Sequence, residues 1–218
     1  MWHTTRKYSK EFAQVLANKK IKVITATRDI ISQNLSLLFE LMDLMYWDCD
    51  EYWKDGGDVD ALFAKWIKDL REYEGGNRKT NDLFQTYKDY TLFTCSIQSF
   101  FENEFKDLCG VNLYEYEFDK RKGYSIIRKD NVEVFVYQIE KLNQISNELL
   151  DFLNIESGEL VNGNQASSKW YSGYYKEAVD NIKISDSYYK ECYNSLYLQH
   201  FYNEEDIERF KKKWGQHI

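Results

Sequence analysis

The stretch "IKVITATRDIISQNLS", residues 21–36, decides how the chain is read. Its first half, "IKVITAT", is a short run rich in β-branched side chains and reads as a strand. Its second half opens an apolar stripe of Ile31, Leu35, Leu38, Met42 and Met45, at steps of four, three, four and three, which predicts a helix lying on a core. A strand therefore feeds a helix, with Arg28 at the joint. Ligands of open α/β sheets gather at the carboxyl ends of the strands. Arg28 at the strand end and Ser36, eight positions on, are thus the first candidate site residues. A guanidinium offers a planar fork matched to a phosphate, and Ser32 and Ser36 lie off the apolar stripe. The same arginine at a helix start also fits an ordinary surface ion pair.

Working outward, Phe12, Val15 and Leu16 predict a helix over Tyr8 to Ala17, ahead of the strand. Gly56-Gly57 and Gly75-Gly76 bracket "DVDALFAKWIKDLREYE", an amphipathic segment with Leu62, Trp66 and Leu70 on one face, read as a helical insertion at about 55–76. The run from Asn81 to Gly110 reads as helix broken near Tyr90 to Thr94 and closed by the glycine. "VNLYEYEFD", "GYSIIRK" and "VEVFVYQI" read as three strands, and "EKLNQISNELLDFLNI" returns to helix. The last sixty or so residues read as helical apart from the polar "ESGELVNGNQA", with Asn203 as the N-cap of "EEDIERFKKKW". Alternating strands and helices without a repeat predict a single α/β domain over 1–218: a mainly parallel sheet, helices on both faces and a helical C-terminal lobe.

Composition narrows the function. A net charge of −7 gives no footprint for nucleic acid, so any anion is bound by a local pocket. No apolar run is long enough to span a membrane, and "MWHTTRKYSK" lacks the apolar core of a signal peptide, which points to a cytoplasmic protein. Cys49, Cys95, Cys109 and Cys192 are scattered without a C-x-x-C pair, so neither a disulfide framework nor a zinc site is expected. The segment "SSKWYSGYYKEAVDNI", residues 167–182, gathers Lys169, Trp170, Tyr171, Tyr174 and Tyr175. It fits either a helix burying an aromatic face or a basic, aromatic lid over an anionic ligand.

"VITATRDIISQNLSLLFE" resembles the 3′-phosphate-binding segment of sulfotransferases that use 3′-phosphoadenosine 5′-phosphosulfate: a strand, Arg-x-Pro, and a serine eight residues after the arginine. "SKWYS", residues 168–172, together with "FYNEEDIERFKKKW" and the texture of residues 100–155, resembles a sulfotransferase-like capsular polysaccharide synthesis family marked by an Asn-Lys-Trp-Tyr-Ser motif. Ser168 stands where the motif has asparagine, and Ile30 stands where Arg-x-Pro has proline. The resemblance implies a P-loop-type sulfotransferase fold and sulfuryl transfer from that donor to a glycan hydroxyl, without a metal. It implies that Arg28 and Ser36 hold the 3′-phosphate and that Lys169, Trp170 and Tyr171 close over the donor. It further points to His3 as the candidate base for the acceptor, with Glu40 in reserve, while His200 and His217 fit packing or tail positions.

The same comparison expects a phosphosulfate-binding loop that this sequence does not show, with no G-x-x-x-x-G-K anywhere. On that reading the chain is N-terminally truncated relative to the family and turns over poorly while still binding the 3′-phosphate. The alternative is a non-catalytic remnant that binds a nucleotide or glycan or acts through protein contacts. The lysines 211–213 read as solvated surface, and Glu140 reads as a helix-start residue without a site.

Overall fold

A computed structural model describes residues 19–45, 58–74, 100–161 and 166–218. The expected helix before Lys19, the glycine pairs at 56–57 and 75–76, the break near Tyr90 and His3 all lie outside the described residues.

Strand β1 (Ile21–Thr27) runs parallel to β3 (Val132–Gln138), and β2 (Tyr124–Lys129) pairs antiparallel with β3, giving the order β1-β3-β2. "IKVITAT" and "VEVFVYQI" are thus both in the sheet, as expected. The predominance of parallel pairing is not what the described sheet has. Asp130 and Asn131 alone join β2 to β3, with Asp130 at φ 53°, and so short a turn can only return the chain antiparallel. The expected strand "VNLYEYEFD" is instead a 3-10 turn at Leu113–Glu115 followed by irregular chain. Asn112 decides this locally, because its side-chain oxygen accepts from Tyr114 N and its amide donates to Glu115. The alternating apolar residues are still buried, as Val111, Leu113 and Phe118, but on a coiled path.

The period of two along β3 assigns the sheet's faces. Val132, Val134 and Val136 point into the main core, while Phe135 joins Ile145, Leu149 and Phe152 in a smaller one. The smaller core lies under helix α4 (Ser146–Leu153), where Tyr124 stacks on Phe135 at 5.1 Å and Lys22 lies over the Phe152 ring. The main core is covered by α1 (Ile30–Met45), α2 (Val59–Glu74), the short α3 (Phe105–Cys109), and four C-terminal helices: α5 (Ser172–Asn181), α6 (Asp186–Tyr193), α7 (Leu196–Phe201) and α8 (Glu204–Trp214). Helices thus cover both faces and a helical C-terminal lobe is present, as a mixed α/β fold.

The segment expected as an insertion starts with Asp58 accepting from Asp60 N and Ala61 N, an N-cap pattern. Its Phe63 and Ile67 enter the main core, and Phe63 packs edge-on to Tyr188. The C-terminal lobe is capped as its sequence suggests: Ser185, Ser195 and Asn203 accept from Tyr188 N, Leu198 N and Asp206 N. Gly123 has φ +80°, and a Cβ there would collide with the Lys141 side chain. The charged run 120–122 is accordingly a turn, held by Asp119 accepting from Arg121 N and Lys122 N. Among the described residues, no helix is long and apolar enough to cross a membrane.

Candidate functional site

Where β1 ends and α1 begins, the chain is held by groups distant in sequence. The hydroxyl of Tyr197 accepts from Arg28 N at 2.8 Å and donates to Arg28 O at 3.1 Å, fixing the two peptides that flank the Arg28 Cα. Asp29, 2% exposed, is the N-cap of α1: its Oδ2 accepts from Ser32 N at 3.1 Å and Ser32 Oγ at 2.6 Å. The same oxygen accepts from Trp214 Nε1 at 2.6 Å, and Oδ1 accepts from Tyr193 OH at 3.1 Å. The peptide N–H of Asp29 donates to Glu140 Oε1 at 3.0 Å, and Tyr202 OH donates to Glu140 Oε2 at 3.0 Å.

Glu140 is exposed as a residue, but its carboxylate end is turned onto these two donors. Desolvation there pushes its pKa above the usual glutamate value, outweighing the bonds that favour the ion.

A cleft of about 650 Å³ opens over this corner. Arg28, Ser32, Ser36 and Glu40 line it from the start of α1, Glu140 from the segment after β3, and Arg209 and Lys213 from α8. The charges in it are not neutralised symmetrically. Asp29 and Glu140 are engaged by neutral donors, and Arg209 pairs with Asp206 at 2.8 Å. The Arg28 guanidinium makes no hydrogen bond or ion pair among the described residues, its backbone groups alone being bonded. Lys213 donates from Nζ to Ser32 Oγ at 3.0 Å and lies 4.4 Å from the centre of the Trp214 ring, with no ion-paired carboxylate among the described residues. Although Lys213 as a residue is exposed, desolvation of its ammonium lowers its pKa, Asp29 opposing this from behind Ser32. The cleft thus carries the carboxylates of Asp29, Glu40 and Glu140 beside its cations, but neither Arg28 nor Lys213 is in a direct ion pair among the described residues, which leaves both side chains able to reach an anion next to the serine hydroxyls.

Of the residues singled out in the sequence, Arg28 and Ser36 come together in this cleft. Lys169, Trp170 and Tyr171 do not line it. Tyr171 is 4% exposed and packs on Phe39 of α1 with ring centres 5.6 Å apart, while Trp170 is 43% exposed and meets Tyr171 edge-on. Lys169 sits in the turn before α5, its carbonyl accepting from Ser172 N. Trp170 and Tyr174 are therefore not the buried pair that a spacing of four would allow; the core positions are Tyr171 and, in part, Tyr174 and Tyr175.

Sequence reasoning missed Asp29, Glu140, Arg209 and Lys213. The usable signal was in α8, where Asp206, Phe210 and Trp214 form the buried stripe, with Arg209 and Lys213 one turn apart beside it. His200 packs on Tyr114 and Phe201, and its buried Nε2 has no hydrogen-bond partner. Desolvation lowers its pKa, with the Lys120 charge adding to the effect. Among the described residues no cluster of histidine, cysteine and carboxylate groups has the makings of a metal site.

One family model, NKWYS, described as putative capsular polysaccharide synthesis protein, matches residues 75–203, more than half of the chain. No curated protein and no solved structure matches. The matched segment supplies Glu140, Tyr193, Tyr197 and Tyr202, which hold the corner; Arg28, Ser36, Arg209 and Lys213 flank it in sequence on either side.

Proposed function

The chain belongs to the capsular polysaccharide synthesis family, and from that premise we propose that it serves this synthesis as a sulfotransferase-like protein whose cleft at Arg28 and Ser36 holds the 3′-phosphate of 3′-phosphoadenosine 5′-phosphosulfate. The observation that carries the reading is the meeting of Arg28 and Ser36 in one cleft at the carboxyl end of β1, with the Arg28 guanidinium unpaired among the described residues. Among the described residues β1 pairs with β3 in parallel, and a parallel pair at the strand that leads into the cleft is in keeping with the sulfotransferase-like topology proposed.

In the reaction, a glycan hydroxyl oxygen attacks sulfur, the bond from sulfur to the bridging phosphate oxygen breaks, and adenosine 3′,5′-bisphosphate leaves with the electron pair. The hydroxyl proton passes to a base, for which His3 is the proposed group. Arg28 and Ser36 anchor the donor away from the reacting sulfur, so they act by positioning. Lys169, Trp170 and Tyr171, which do not line this cleft, are left out of the proposed donor contacts. A donor and a glycan precursor of this kind meet in the cytoplasm, where the protein is proposed to act.

The test is transfer of labelled sulfate from the donor to a panel of capsular polysaccharides, run beside a binding titration with adenosine 3′,5′-bisphosphate. Slow labelling of a polysaccharide that Arg28→Ala removes is the expected result. Binding of the bisphosphate without any labelling would make the protein a nucleotide-binding module, and absence of both would overturn the reading.

A further inference from the structure

The two carboxylates nearest the β1–α1 corner are engaged by neutral donors. Asp29 takes two bonds from Ser32, one from Trp214 and one from Tyr193; Glu140 takes one from the Asp29 peptide and one from Tyr202. In α8, Lys211 pairs with Glu208 at 2.7 Å and Arg209 pairs with Asp206, so each has a carboxylate of its own helix. Lys213 differs. Its ammonium crosses from α8 to α1 to reach Ser32 Oγ, rests on the Trp214 ring, and enters the cleft that Arg28 also lines. Ser32 already donates its proton to Asp29, so its oxygen can accept from the lysine. The lysine is thereby oriented, with two of its three N–H groups left to serve a ligand.

We infer that Lys213 is a phosphate-binding residue, which with Arg28 clamps a phosphate monoester between the last helix and the first strand–helix joint. The inference deepens the donor-site reading and rests on it for the identity of the ligand, but the clamp itself requires only an anion of phosphate type. It assigns to the C-terminal helix, outside the matched family segment, one of the two unpaired cations of the site. Packing keeps α8 at this corner: Trp214, fully buried, is bonded to Asp29, so α8 cannot carry Lys213 away without breaking that bond.

The experiment is competitive amine acylation read by peptide mass spectrometry, comparing Lys211, Lys212 and Lys213 within one helix. The probes are adenosine 3′,5′-bisphosphate and, separately, inorganic phosphate. At about ten times the dissociation constant, roughly 90% occupancy should cut labelling of Lys213 about tenfold and leave Lys211 and Lys212 unchanged. Alongside, Lys213→Met should weaken bisphosphate binding by about 10- to 100-fold, Lys213→Arg should recover most of it, and thermal unfolding of each variant should confirm the fold. Protection by inorganic phosphate with no bisphosphate binding would uphold the clamp and sink the nucleotide reading. Bisphosphate binding that leaves Lys213 unprotected and Lys213→Met unaffected would overturn the clamp and spare the nucleotide reading. Equal protection of all three lysines, or protection by neither probe, would overturn it as well.

Discussion

Helix α1 is gripped at two places by opposite kinds of chemistry. At its start, the Arg28–Asp29 corner is held by polar bonds from residues more than a hundred positions away: Tyr197 on the Arg28 peptide, Tyr193 and Trp214 on the Asp29 carboxylate, Glu140 on the Asp29 N–H. Nearly three turns on, the "SKWYS" turn and the start of α5 meet it through aromatic rings, Tyr171 tilted on Phe39 and Tyr175 edge-on to the same ring at 5.3 Å. The residues around the cleft face belong to the polar grip, and the motif that marks the family packs behind it. A short signature can therefore pack against a helix at a place removed from the cleft which the start of that helix lines.

The comparison is broken most easily at Asp29. Its replacement by alanine leaves the Trp214, Tyr193 and Ser32 donors without an acceptor inside the protein, and we expect a loss of about 3–5 kcal/mol, read from the urea midpoint. A loss under about 1 kcal/mol would mean that the polar grip is decoration on a helix held by packing. Tyr171→Ala, which removes a buried ring from Phe39, should cost about 2–4 kcal/mol by the same measurement, whereas Trp170→Ala, at an exposed ring, should cost under about 1 kcal/mol. Equal effects at 170 and 171 would erase the distinction between the core and surface halves of the motif.

A subtler difference concerns pH. The folded-state pKa of Glu140 is raised, so the fold favours its protonated form: the stability that Glu140 contributes is greatest below the ordinary glutamate pKa and declines as pH rises through the folded value. Glu140→Gln should flatten that decline in a series of urea titrations from mildly acid to neutral pH. Tyr171→Phe, in the apolar grip, should leave it unchanged.

Much of this architecture was legible in the residues. The β-branched run of β1 and the stripe on α1 gave the strand–helix joint, since Ile31, Leu35 and Leu38 are buried where a period of 3.6 places them. Arg28 and Ser36 could be paired because both lie on one local unit whose geometry is set by eight residues. Long-range partners could not be read in the same way. Glu140 looked like a helix-start acid, and its engagement by the Asp29 peptide depends on β3 lying parallel beside β1. Lys213 looked like one of three solvated lysines, and only the docking of Trp214 separates it from Lys211 and Lys212. "VNLYEYEFD" misled because alternation was present, while the Asn112 side chain redirected the backbone.

The central claim is that the cleft over the β1–α1 corner binds the phosphate of a nucleotide donor through Arg28. Calorimetric titration of adenosine 3′,5′-bisphosphate into the wild-type protein and Arg28→Ala tests it most directly, because the Arg28 guanidinium makes no hydrogen bond or ion pair among the described residues and its removal should leave the fold intact. The account predicts saturable binding to the wild-type protein and an affinity about 10- to 100-fold weaker in the variant, the scale of a charge-assisted hydrogen bond. Equal affinities, or no binding to either, would contradict it.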